Sequence, residues 1–119
     1  MINKKTRAII VGNAKVEFVK LNEIVGVQAR EGKKGTQEMK LLKSIKDKIE
    51  LIKLNPFYGD NIKKTLIPKN MDVSNLWRVE LNNFWRMLYS IKGDDVDIIC
   101  FVLEITNHDK YNKILGYKK

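Results

Sequence analysis

The sequence predicts an α+β fold of order β-α-α-β-β-β, a helical hairpin packed on an antiparallel sheet, followed by a short C-terminal helix. Three observations carry that prediction. QEMKLLKSIKDKIELIKL shows Leu42, Ile45, Ile49 and Ile52 at 3-4-3 spacing, one face of a helix. LWRVEL and FWRMLYSI alternate with period two around Asn82-Asn83, as a half-buried β-hairpin does. VDIICFVLEI is apolar on both sides, as a central strand is. With 119 residues, one core and one domain over residues 1–119 are expected.

TRAIIVG (residues 6–12) is β-branched and stopped by Gly12, which suits a short strand. Asn13 is placed to cap a first helix from Ala14 to about Arg30, with Ala14, Phe18, Leu21 and Val25 on one face and Gly26 weakening its second half. EGKKGT breaks the pattern, and Thr36 can cap the second helix. The short linker predicts a helical hairpin. Asn55-Pro56 ends the second helix, because the residue before proline avoids the α region.

Residues 57–75 read as a long connector carrying Lys63, Lys64 and Lys69. In the strands that follow, Trp77, Val79 and Leu81 share one side, and Arg78 and Glu80 the other. Trp85, Met87, Tyr89 and Ile91 share one side of the next strand, and Phe84, Arg86 and Leu88 the other. Asn82-Asn83 suits a two-residue turn with positive φ at both positions. Residues 92–95, KGDD, form the next turn, and Tyr111, Ile114 and Leu115 lie at helical spacing near the end. The tryptophans then face the helices, and the arginine side of the hairpin is left open as a basic-aromatic surface.

The net charge of +9 attracts polyanions: nucleic acid, the ribosome, acidic protein segments or anionic lipid. Most of the excess precedes Phe57, so lysines that merely solvate the helices are the competing explanation. One cysteine, Cys100, excludes an intramolecular disulfide, and with His108 it forms no metal-ligand spacing. No apolar run is long enough to span a bilayer, and AIIV is too short for a signal peptide, so a soluble cytoplasmic protein is expected.

LIKLNPFYG, TLIPK (65–69), NLWR (75–78), FWRMLYSI (84–91), FVLE (101–104), NHDKY (107–111) and LGYKK (115–119) follow one another in order. Together they resemble the RelE/ParE toxin superfamily, and most closely its RelE-like members of archaeal type. The resemblance covers nearly the whole chain. It implies a toxin of a type II toxin–antitoxin pair, with a cognate antitoxin, the ribosome and mRNA as partners and neither a metal nor a small-molecule cofactor. RelE-like members cut mRNA in the ribosomal A site. ParE-like members use a similar fold to poison DNA gyrase, and a catalytically inactive binding module is a third possibility.

Metal-free phosphodiester cleavage needs charge stabilisation at phosphate, a base and an acid. Arg86 suits the first role, because a guanidinium fork aimed from a strand grips two phosphate oxygens. The alternative is an arginine whose stem merely covers its strand neighbours. His108 suits proton transfer, since imidazole ordinarily titrates near neutral pH. Tyr111 is a proton donor or a base-stacking ring, or else packs the final turn with Leu115. Glu104 is a base, or it orients Arg86 or His108. Lys63, Lys64 and Lys69 are phosphate contacts or solvated lysines. Arg78 contacts phosphate or pairs with Glu80, and Tyr117 stacks on a base or packs.

Overall fold

A computed structural model describes residues 5–93 and 97–116. It shows an α+β protein of three α-helices and a five-stranded mixed sheet. The elements are β1 (Lys5–Ile10), α1 (Gly12–Arg30), α2 (Gln37–Leu54), β2 (Asp60–Asn61), β3 (Trp77–Glu80), β4 (Arg86–Gly93), β5 (Asp97–Thr106) and α3 (His108–Leu115). Single 3-10 turns cover Lys64–Leu66 and Asn82–Phe84.

The strand order is β1-β5-β4-β3-β2. β2, β3, β4 and β5 pair antiparallel in succession, and β1 pairs parallel with β5. The expectation of an antiparallel sheet is therefore corrected at one edge. Connections of only a few residues force β3, β4 and β5 to alternate direction. β1 reaches β5 only through most of the chain, so its direction is not set by a turn and periodicity does not encode it. β2 is a further correction: the connector supplies a two-residue edge strand.

Three boundaries also move. Helix α1 begins at Gly12 after Val11, so Asn13 lies inside its first turn instead of capping it. Positive φ falls on Asn83 (58°) and Phe84 (63°) rather than on Asn82 and Asn83. Phe84 thereby leaves the strand that the alternation assigned it to. Of the expected turn at residues 92–95, Lys92 and Gly93 extend β4, and 94 and 95 lie outside the described residues. Thr36 does cap α2, its hydroxyl accepting from the Met39 amide at 3.1 Å. The final helix is capped by Asn107, which accepts from the Lys110 amide at 2.9 Å.

One core lies between the helical hairpin and the sheet. Ala14, Leu21, Leu42, Ile45 and Ile52 meet Val79, Met87, Tyr89, Cys100, Val102 and Ile105. Trp77 and Trp85 pack at its margin, on the helix side. The opposite side of the sheet is not open, contrary to expectation. Ile62, Leu76, Leu88, Tyr111 and Leu115 form a second core there. The connector and α3 thus make a third layer, because Leu76, Leu88 and Leu103 would otherwise leave apolar sheet surface in water.

The Tyr89 hydroxyl joins these parts. It donates to the Pro56 carbonyl at 2.6 Å and accepts from the Gly59 amide at 3.0 Å. Gly59 is needed for this approach, since a Cβ there would sit 2.7 Å from the Arg78 carbonyl oxygen and 3.0 Å from the Tyr89 ring. The NP-x-x-G stretch and the tyrosine of FWRMLYSI are therefore two halves of one contact. The Asn75 side chain pairs with both the amide and the carbonyl of Ile91, two positions beyond the last β3–β4 pair, Trp77 with Tyr89.

Tyr89→Phe leaves the half-buried Pro56 carbonyl and Gly59 amide without this partner, and a loss of about 1–2 kcal/mol is expected. Gly59→Ala forces backbone apart and is expected to cost about as much or more. Urea unfolding with an unchanged m-value measures both. Burial also pushes the Tyr89 hydroxyl up to about 12 and the Cys100 thiol up to about 11. The unfolded chain releases these protons at lower pH than the folded protein does. Their contribution to stability is therefore complete below about pH 9 and falls as pH rises through 11 and 12. Urea midpoints of Cys100→Ala between pH 8 and 11 should decline less than those of the wild type.

Candidate nucleic-acid interface

Strand alternation puts Arg78 of β3 and Arg86 of β4 on the α3 side of the sheet, where α3 lays Tyr111 between them. The Arg78 Cζ lies 6.0 Å and the Arg86 Cζ 5.6 Å from the centroid of that ring. One tyrosine therefore serves two cations, each in cation–π range. Arg78 also donates through Nη1 to the Tyr111 hydroxyl at 3.2 Å and through Nη2 to Asp60 Oδ2 at 3.0 Å. The hydrogen bond to Tyr111, then that to Asp60, holds the Arg78 guanidinium protonated even more firmly than usual. Strand alternation offers Glu80 as the carboxylate for Arg78; the structure supplies Asp60 from β2 instead.

Arg86 has a different shell. Its Nη1 donates to the carbonyls of Phe84 at 2.8 Å and Trp85 at 3.4 Å, and its Nη2 lies 3.8 Å from Glu80. Its side chain is 12% exposed, against 30% for Arg78. The guanidinium is partly covered instead of standing over an open sheet. Among the described residues, its Nε has no hydrogen-bond partner, nor have the Arg78 Nε and the hydroxyl of Thr106, the β5 residue opposite Arg86. Buried polar atoms without partners are costly and uncommon.

His108 opens α3, two residues beyond Thr106, and is exposed. The strand register thus brings Arg86 and His108 to the same end of the sheet. The imidazole Nε2 lies 3.3 Å from Asn112 Nδ2, one turn along the helix. Tyr111 is 2% exposed and packs with Leu88 and Leu115, so its ring offers no open face to a base. Glu104 is buried, and its carboxylate accepts from Asn13 Nδ2 at 2.9 Å. That contact ties it to the start of α1 and not to Arg86 or His108. Lys63, Lys64 and Lys69 are exposed, and the first two line a shallow groove of about 310 Å³ with Ser74 and Asn75. Tyr117 lies outside the described residues.

Sequence reasoning missed Asp60, whose short edge strand carries no periodic signal, and Phe84, which alternation assigned to the strand face. Among the described residues, no group of three or more His, Cys, Asp or Glu side chains is placed to hold a metal ion, and no helix is long and apolar enough to cross a membrane. Compared with protein-family models, curated proteins and solved structures, the chain matches none.

The Arg78–Tyr111 pair is expected to act as a unit. Arg78→Ala and Tyr111→Phe, alone and combined, should show a coupling of about 1 kcal/mol in urea unfolding, the double variant losing less than the two single losses together. Additive losses would show the hydroxyl contact to be energetically idle.

Proposed function

We propose that this protein is the toxin of a type II toxin–antitoxin pair and cleaves mRNA at the ribosome without a metal. One observation carries the reading: the Arg86–Thr106 register and the start of α3 at His108 gather a guanidinium and an exposed imidazole at one end of the sheet. The ordered motifs, the helical hairpin on a sheet and the net charge of +9 support it. In this reading Arg86 stabilises charge developing on the scissile phosphate, and His108 moves the proton to or from a ribose or leaving oxygen. Arg78 and the lysines near Ile62 position the phosphate chain. A cognate antitoxin silences the protein in the cytoplasm.

A second reading is favoured by the shell of Arg86. A guanidinium held by two carbonyls and 12% exposed reaches phosphate only if the Phe84–Trp85 backbone releases it. A ParE-like toxin that binds gyrase needs no such reach and no acid or base.

Inducible expression with mapping of mRNA 5′ ends separates the two. The first reading expects growth arrest and cuts within codons, lowered about 10²–10⁴-fold by His108→Ala and by Arg86→Ala. Arrest that persists in both variants, with DNA damage and no new 5′ ends, would establish the second reading in its place.

A further inference from the structure

The turn between β3 and β4 places a large aromatic ring where neither packing nor backbone preference favours it. Asn83 and Phe84 both have left-handed backbone, at φ 58° and 63°. Asparagine tolerates that region, but a bulky side chain there is an outlier and carries strain. The Phe84 side chain gains no burial in return, being 73% exposed.

The turn is nevertheless fixed from several sides. The Asn82 amide donates to Ser44 Oγ of α2 at 3.1 Å, and Asn83 Nδ2 donates to Gln37 Oε1 at 3.2 Å. The Leu81 amide donates to the Trp85 carbonyl at 2.8 Å, and Arg86 Nη1 to the Phe84 carbonyl at 2.8 Å. The ring is therefore projected into solvent by a braced, strained turn rather than by a loose loop.

The same turn borders, at Asn82, a shallow groove of about 480 Å³ whose lining also includes Lys40, Lys43 and Lys48. Asp47 also lines it and pairs with Lys43 at 2.8 Å. Lys48 donates to the Tyr58 hydroxyl at 3.1 Å. The cations outnumber the single carboxylate, so the groove suits a chain of phosphates. An exposed ring on a turn that borders a cationic groove has the two parts by which proteins hold single-stranded nucleic acid: a face on which bases stack, and charge that phosphates follow.

We infer that Phe84 is a stacking platform for one base of single-stranded RNA, whose neighbouring phosphates lie along Lys40, Lys43 and Lys48 on α2. The inference rests on the RNA-directed reading above and adds to it a docking track outside the Arg86–His108 pair. Arg86 links the two, since it bonds the carbonyl of the residue that bears the platform. A base seated on Phe84 therefore bears on the same turn that must release Arg86 before its guanidinium can meet phosphate.

The test uses the full chain and a single-stranded RNA decamer carrying one 2-aminopurine, followed by fluorescence and by affinity at several salt concentrations. Phe84→Leu should weaken binding roughly tenfold and abolish the stacking quench, while Phe84→Trp retains affinity. Phe84→Gly should weaken binding to a similar extent yet raise the urea midpoint, because it relieves the left-handed strain; a merely structural phenylalanine would not give both shifts. Lys40→Ala with Lys48→Ala should reduce the slope of log affinity against log salt by about 0.7 for each phosphate that is no longer neutralised, and Phe84→Leu should leave it unchanged. If Phe84→Leu and Phe84→Gly bind the decamer as the wild type does, the platform is overturned, and cleavage through Arg86 and His108 stands or falls by the mapped 5′ ends. A wild-type protein that does not bind the decamer overturns the docking track itself.

Discussion

Everything in the architecture depends on how the chain leaves α2 and meets the central sheet. Proline at 56 forces the helix to stop, and the freed carbonyl lands on the Tyr89 hydroxyl, which also accepts from the Gly59 amide. This one contact holds the connector against β4 at the point where Asp60 and Asn61 pair with β3. β2 itself contributes only two residues of ladder, with the Ile62 amide adding a bond to the Leu76 carbonyl at 2.9 Å and Asp60 its pairing with Arg78. Trp77 stacks on the same tyrosine with centroids 6.4 Å apart, and Phe57 tilts against Trp77 at 5.4 Å. An aromatic ladder thus backs the hydrogen bonds, and the edge strand that delivers Asp60 to Arg78 is held indirectly by Tyr89.

That explains why the hairpin carries tryptophan next to arginine twice. Period-two alternation sends each tryptophan towards the helical hairpin and each arginine towards α3. The arginine side is not bare, however. The connector and α3 bury it with Ile62, Leu76, Leu88, Tyr111 and Leu115, so both guanidinium groups sit at the rim of a second core. Tyr111 is shared between them, and its burial makes it part of the scaffold that aims the arginines. What remains exposed on this part of the molecule is the His108 imidazole, the outer edge of Arg78, the loop lysines and the Phe84 ring.

Several motifs behind the family resemblance have structural reasons in this chain. In NLWR, Asn75 imitates a strand partner for Ile91, Leu76 fills the second core and Trp77 stacks on Tyr89. In LNPFYG, Pro56 and Gly59 serve Tyr89. In FWRMLYSI, Met87, Leu88 and Tyr89 are core residues, leaving Arg86 as the member with a charged group near the rim. Such a run of motifs speaks first of fold, and a fold does not specify an activity.

Local chemistry alone determined much of this protein. Periodicity located the two helices of the hairpin and β3 to β5, Thr36 and Asn55-Pro56 marked the limits of α2, and alternation sorted the residues of β3 and β4, though not Phe84, to their sides. These features depend on neighbours a few positions away, which is why they are legible in the order of residues. Tertiary structure decided the rest. The parallel pairing of β1 with β5, the strand at Asp60–Asn61, the covering of the arginine side, the Asn13–Glu104 bond and the left-handed Phe84 all arise between segments far apart in the chain or from a turn braced by α2. No repeat or spacing encodes which distant surface will need covering, because that is set by the apolar area left over once the local elements have formed and packed.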